Sequence, residues 1–174
     1  MTNRPGREEF QQRAVGYLIN RYLTFYAVVL ILLGVAAEGK TPVSGLALGI
    51  LAVTTAGNWI LTTMMRRKAS QIVLIRNVRI AFNYLFNIPL VYLLWPSWPP
   101  VWMLLMLSMV NVAIFEDIKT TAGTAGLFTI VLAYVHYMRG DHTAPQLLQT
   151  AVYAVTLWTA GLLINRIYHP NKDS

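Results

Sequence analysis

Six continuous apolar stretches, each near bilayer length, leave this chain few ways to fold. They run from Ala14 to Ala37, Val43 to Met65, Gln71 to Trp95, Pro100 to Phe115, Thr121 to Met138 and Leu147 to Tyr168. A helix needs about 20 mostly apolar residues to cross hydrocarbon, fewer where flanking side chains snorkel to the surface. The runs are unbroken and lack period-two alternation, which argues against the strands of a membrane barrel. Composition points the same way. Hydrophobic residues make up 56% of the chain and charged ones 12%, against a charged share of about 25% in soluble domains. The expected fold is an all-α integral membrane protein, a six-transmembrane-helix bundle.

Orientation follows from lysine and arginine. With the N-terminus cytoplasmic, twelve of the fourteen fall on that side, and only Lys40 and Arg139 fall opposite. Short loops with this bias are held on the cytoplasmic face. Both termini are then inside, which needs an even number of spans. The expected layout is a cytoplasmic lead-in over 1–13, a membrane domain over 14–168 and a cytoplasmic tail over 169–174, in the cell inner (plasma) membrane. The polar start MTNRPGREEFQQR is followed by a long span with no small-residue cleavage site close behind. The first span is therefore expected to stay in the mature protein. After Gly6 the lead-in suits a helix, with Glu8 and Glu9 in its first turn against the positive helix end.

The net charge of +7 gathers at span ends, where lipid headgroups rather than nucleic acid are the expected partner. No cysteine is present, which excludes disulfides, thiolate metal sites and cysteine nucleophiles. Of the three histidines, only His136 and His142 share a side, and they stand six residues apart. No bundle haem or metal site is expected from them, and no cofactor is assigned. Hydrolase, zincin, Walker and dinucleotide motifs are absent, so the chain reads as non-enzymatic. No acidic residue lies in mid-span, which counts against a proton or cation carrier.

The third and fourth stretches carry the polar residues that need explaining. Folded antiparallel about Pro96–Ser97–Trp98, positions summing to about 195 share a depth. Arg79 then meets Glu116, Asn83 meets Val112 beside Asn111, and Asn87 meets Ser108. Arg79, Asn83 and Asn87 are spaced i, i+4, i+8 and share one helix face. A polar seam inside an apolar hairpin is costly enough to require partners. It reads either as register-fixing hydrogen bonds or as a pocket lining or two-state packing element. Elsewhere, Gly45 and Gly49, continued by Ala52 and Ala56, and Ala122 with Gly126, form small-residue faces for close helix approach. Packing within the chain is the first expectation for these faces, and dimerisation the second. Trp95, Trp98 and Trp102 among Pro96, Pro99 and Pro100 mark a tight turn at the headgroup level.

The portion from about Arg66 to Gly140 resembles the multi-span membrane sensor modules of bacterial histidine kinases and related signalling proteins. The shared layout is a basic approach (MMRRKASQIVLIRNVRIAFNYLF), a Trp/Pro-rich outer turn (LWPSWPP), an apolar return, a charged inner turn (FEDIKTT) and a further span. No phosphoacceptor-histidine helix or ATP-binding box follows Tyr168. The resemblance implies a sensor or signal-relay module that acts by helix packing on a partner. The alternatives are a small accessory subunit of a larger membrane complex, and a small-solute transporter or its membrane component. The expected partners are membrane lipids and either other membrane subunits or a second copy of the chain.

Overall fold

The computed structural model describes the backbone of residues 7–67, 71–138 and 143–169, with side chains from Tyr22 onward except Arg66 and Ile72. All six apolar stretches are helical: α1 (Arg7–Glu38), α2 (Pro42–Arg67), α3 (Ile72–Leu94), α4 (Met103–Phe115), α5 (Ile118–Met138) and α6 (Ala144–Tyr168). A 3-10 turn over Pro99–Trp102 leads into α4. There is no strand among the described residues. Three of the helices are long and apolar enough to cross a membrane, at Pro42–Met65, Ile118–Met138 and Ala144–Tyr168. Tyr22–Glu38 and Pro99–Phe115 form shorter apolar helices. Helix α3 has 23 residues, but two arginines and three asparagines dilute its apolar character.

The turns follow local chemistry. Gly39 closes α1 at φ 75°, a left-handed conformation that glycine adopts without strain. Thr41 and Ser44 then cap α2 reciprocally, each backbone N–H donating to the other's hydroxyl at 3.2 Å, as in a capping box. Asp117 starts α5 by accepting the Thr120 N–H at 2.8 Å. Pro99 and Pro100 occupy the first positions of the 3-10 turn, where a missing N–H leaves nothing unpaired.

Helices α3 and α4 run antiparallel, with Asn87 against Ser108 and Arg76 against Glu116, as do α5 and α6, with His136 against Thr150 and Thr121 against Asn165. Helices α4 and α6 are parallel: Asn165 bonds Ala113, and Gly161 meets Met109 one turn away. Alternation places the start of α1 and the end of α6 at one end of the bundle. Helix α4 is the pivot, packed against α1, α3, α5 and α6. Its Leu104, Leu105, Met109 and Val112 are buried with Leu90, Leu94, Phe128, Leu132 and Leu157. The outside is apolar too. Phe25, Trp59, Ile130, Leu148 and Val155 are all exposed, a surface that suits hydrocarbon and would associate in water.

Candidate functional site

The seam between α3 and α4 is anchored where the antiparallel arithmetic puts it. Asn87 Nδ2 donates to Ser108 Oγ at 2.9 Å, and that hydroxyl donates to the Leu104 carbonyl at 3.0 Å. Asn83 turns to α2 instead, where its Oδ1 accepts from Asn58 Nδ2 at 2.8 Å. Asn58 is absent from the sequence-derived seam, although 58 and 83 sum to 141, the depth rule for a hairpin turning near residue 70. Asn111 is 8% exposed, and its Oδ1 is buried with no hydrogen-bond partner.

At the opposite limit of the seam, an ion pair joins Glu116 to Arg76, Nε to Oε1 at 2.9 Å. The expectation had placed Arg79 at that depth. Arg79 lies one turn further along α3 and is 6% exposed. The sum for the pair falls from 195 to 192, the drift produced when helices cross at an angle rather than run parallel. Both atoms of this contact are buried, yet neither counts as hydrogen-bonded. The N–H is not directed along the contact, so the attraction is chiefly Coulombic. Beside it, Asn165 of α6 is 2% exposed. Its Nδ2 lies 3.0 Å from the Ala113 carbonyl, 2.8 Å from the Glu116 carbonyl and 3.1 Å from Thr121 Oγ1. The signal for Asn165 in the sequence is a lone amide near the C-terminal end of the sixth apolar run, which hydrocarbon would not leave unpartnered.

A cleft opens among α1, α2, α3 and α4, with a cavity volume of about 60 Å³. It collects Thr54, Asn58, Asn83, Asn87, Ser108 and Asn111, and none of its lining residues is charged. Exposed Thr24 on α1 and Thr55 on α2 stand at its rim. Asn83 and Thr54 are central in their helices, so the cleft lies at mid-height. Arg79 and Glu116, expected in the same seam, are not among its walls.

Of the small-residue faces expected to pack within the chain, the one on α2 does not, and the one on α5 makes only ordinary contact with α6. A Cβ at Gly45 or Gly49 would meet nothing within 4 Å, and Ala52 and Ala56 are exposed beside them. Gly126 reaches only the Trp158 ring at 3.9 Å, and Ala122 is half-buried. Close approach occurs instead at Gly57, where a Cβ would collide with the Phe82 ring, and at Gly161, where it would collide with Met109. The spacing pattern selects small residues but not the azimuth that α2 turns toward α3.

The Trp/Pro turn between α3 and α4 folds back onto the bundle. Trp102 stacks on Tyr153 of α6 at 4.4 Å, and Trp95 meets the same ring edge-on at 6.1 Å. Ser97 Oγ donates to the Glu38 carboxylate, tying this turn to the end of α1. His136 is buried, with Nδ1 3.3 Å from Thr150 Oγ1, while His142 lies outside the described residues. No group of three or more His, Asp or Glu among the described residues is placed to hold a metal ion. No family model, curated protein or solved structure matches the chain.

Proposed function

We propose that the chain is a non-enzymatic, six-span protein of the plasma membrane with both termini cytoplasmic, working as a sensor or relay by repacking α3 against α4 and passing the change to a partner. The observation that carries this reading is the corner built by Arg76, Glu116 and Asn165. One amide with two protons faces three acceptors, and an ion pair sits beside it without a directed hydrogen bond. A small shift of α3 acts directly on the Arg76–Glu116 pair and, through the Glu116 backbone, on an acceptor that Asn165 shares. Asn87 and Ser108 hold the same helix pair at mid-height. The corner lies at the end of the bundle that carries Arg67, Lys119 and Arg166, the end the charge bias assigns to the cytoplasm.

Two measurements test this. The chain has no cysteine, so single cysteines can be placed and labelled without background. Cysteines at Lys119 and Ser174 should react only from the cytoplasmic side, and those at Gly39 and Ser97 only from the other. Reaction of Ser174→Cys and Gly39→Cys from the same side ends the six-span layout. For the relay, Glu116→Ala should change which proteins co-purify from native membranes in mild detergent while leaving the thiol pattern intact. An unchanged set of partners would falsify a role for the corner.

A second reading, the accessory subunit of a larger complex, is favoured by the Gly45–Gly49–Ala52–Ala56 stripe facing outward on α2. A stoichiometric complex lost on Gly49→Leu supports it over the relay.

A further inference from the structure

We infer that the cleft among α1–α4 is a binding site for a bilayer amphiphile whose small headgroup is uncharged and bears an O–H or N–H donor. The inference rests on the membrane-spanning reading above and supplies the ligand that reading lacks. It begins at Asn111. This side chain is more than nine-tenths buried, lines the cleft and leaves Oδ1 with no hydrogen-bond partner. A buried acceptor left open in hydrocarbon is costly, and a donor brought in from outside removes that cost. The nearby amides are ready to complete the contact. Asn58 uses its NH₂ on Asn83, Asn83 accepts through its oxygen, and Asn87 donates to Ser108. Each of these side chains engages one polar group in that contact and lines the same cleft, so the amides stand together around the open Asn111 oxygen.

Charge and size narrow the class. No wall residue is ionised, so a phosphate, carboxylate or ammonium head at this depth would find no counter-charge. The cavity volume of about 60 Å³ is a few times the roughly 10–15 Å³ that one water needs on this measure. That suits a glycerol or primary-amide head. The direction of approach selects an amphiphile rather than a water-borne solute. The rim residues Thr24 and Thr55 lie on the flank of the bundle, not at an end, and are exposed there. Their chain neighbours include Phe25, 69% exposed, and four residues along from Thr55, Trp59 at 73%. A molecule reaching this rim arrives through the acyl chains, tail outward and head into the amides.

The test uses the full chain in phosphatidylcholine nanodiscs with a monoacylglycerol carrying a diazirine in its acyl chain. Photolabelling should saturate, map to peptides of α1–α4, and be competed by monooleoylglycerol. Asn111→Leu should weaken the apparent affinity about tenfold, the consequence of losing one hydrogen bond in a dry site. Leu51→Trp, which fills the cleft and leaves the amides in place, should abolish saturable labelling. A diazirine-bearing alkyl sulfate of the same chain length, charged at any working pH, should label without saturating. Saturation unaffected by both variants, saturable labelling by the sulfate probe, or competition by aqueous glycerol equal to that by monooleoylglycerol would each overturn the assignment. Absence of saturable labelling in a chain whose cysteines report the six-span pattern removes the ligand and leaves the layout standing. Saturable, Asn111-dependent labelling in a chain with a different thiol pattern keeps the ligand and removes the layout.

Discussion

Asn165 shows how much one amide can hold in a bundle where lipid offers no hydrogen bonds. Two of its three acceptors are carbonyls at the end of α4, the four-residue region where a helix runs out of its own donors. The third is the hydroxyl of Thr121 in the first turn of α5. One side chain on α6 thus closes the break between α4 and α5. Asn165→Leu leaves these acceptors without a donor and should lower stability by about 1–2 kcal/mol, visible as a lower thermal midpoint in detergent; an unchanged midpoint means water serves the carbonyls instead. Asn87 and Ser108 are a weaker case. Their double-mutant cycle, Asn87→Leu with Ser108→Ala, should return a coupling of roughly 0.6 kcal/mol, the usual size within membranes. A coupling near zero would reduce the pair to coincident packing.

Between helices, dispersion and close approach replace the hydrophobic drive that water supplies, and among the described glycines the tightest approaches are at Gly57 and Gly161. Met109 of α4 rests on the backbone of Gly161, and Phe82 of α3 rests on Gly57. Phe82 also packs against Phe86 at 4.7 Å, which limits how far its ring can swing aside. Gly161→Leu should therefore overpack the α4–α6 contact and cost about 1–3 kcal/mol. Gly45→Leu opens onto empty space and should leave monomer stability within about 0.5 kcal/mol. Thermal midpoints of the two variants in the same detergent decide the matter; equal losses would mean that the outward stripe on α2 is packed after all. The polar caps at Thr41/Ser44 and Asp117 are independent of both contacts, since they set where helices begin rather than how they cross.

For the molecule as a whole, the exterior is apolar, unlike that of a soluble helical protein, and polar side chains are set among apolar ones inside. Polar side chains such as Asn87, Ser108, Thr121 and Asn165 are buried, while aromatic and aliphatic ones cover the outside. Such a surface should keep the chain in the membrane pellet after alkaline carbonate washing and release it only with detergent. Recovery in the carbonate supernatant would contradict the lipid-facing exterior. The bundle also has two chemically different ends. Arg67, Arg76, Lys119 and Arg166 gather with Glu116 and Asn165 at one, and Glu38, Ser97, Trp95 and Trp102 close the other. The cleft lies between them, away from both.

Much of this was legible from the residues. The number and extent of the helices follow from runs of apolar residues, because backbone in lipid must satisfy its own hydrogen bonds and helices are the local way to do so. The Asn87–Ser108 contact follows from hairpin arithmetic, since a short turn fixes relative depth. Rotation about each helix axis and crossing angle do not follow from spacing. They depend on how all six helices fill space together, and depth alone is blind to them. For that reason Arg76, one turn from the expected Arg79, was found paired with Glu116, Asn83 turned to Asn58, and Gly57 and Gly161 took the close contacts that Gly45 and Gly49 were expected to make. The one-dimensional pattern determined which segments are helical and apolar, and only their packing decided which polar atoms meet and which, at Asn111, stay open.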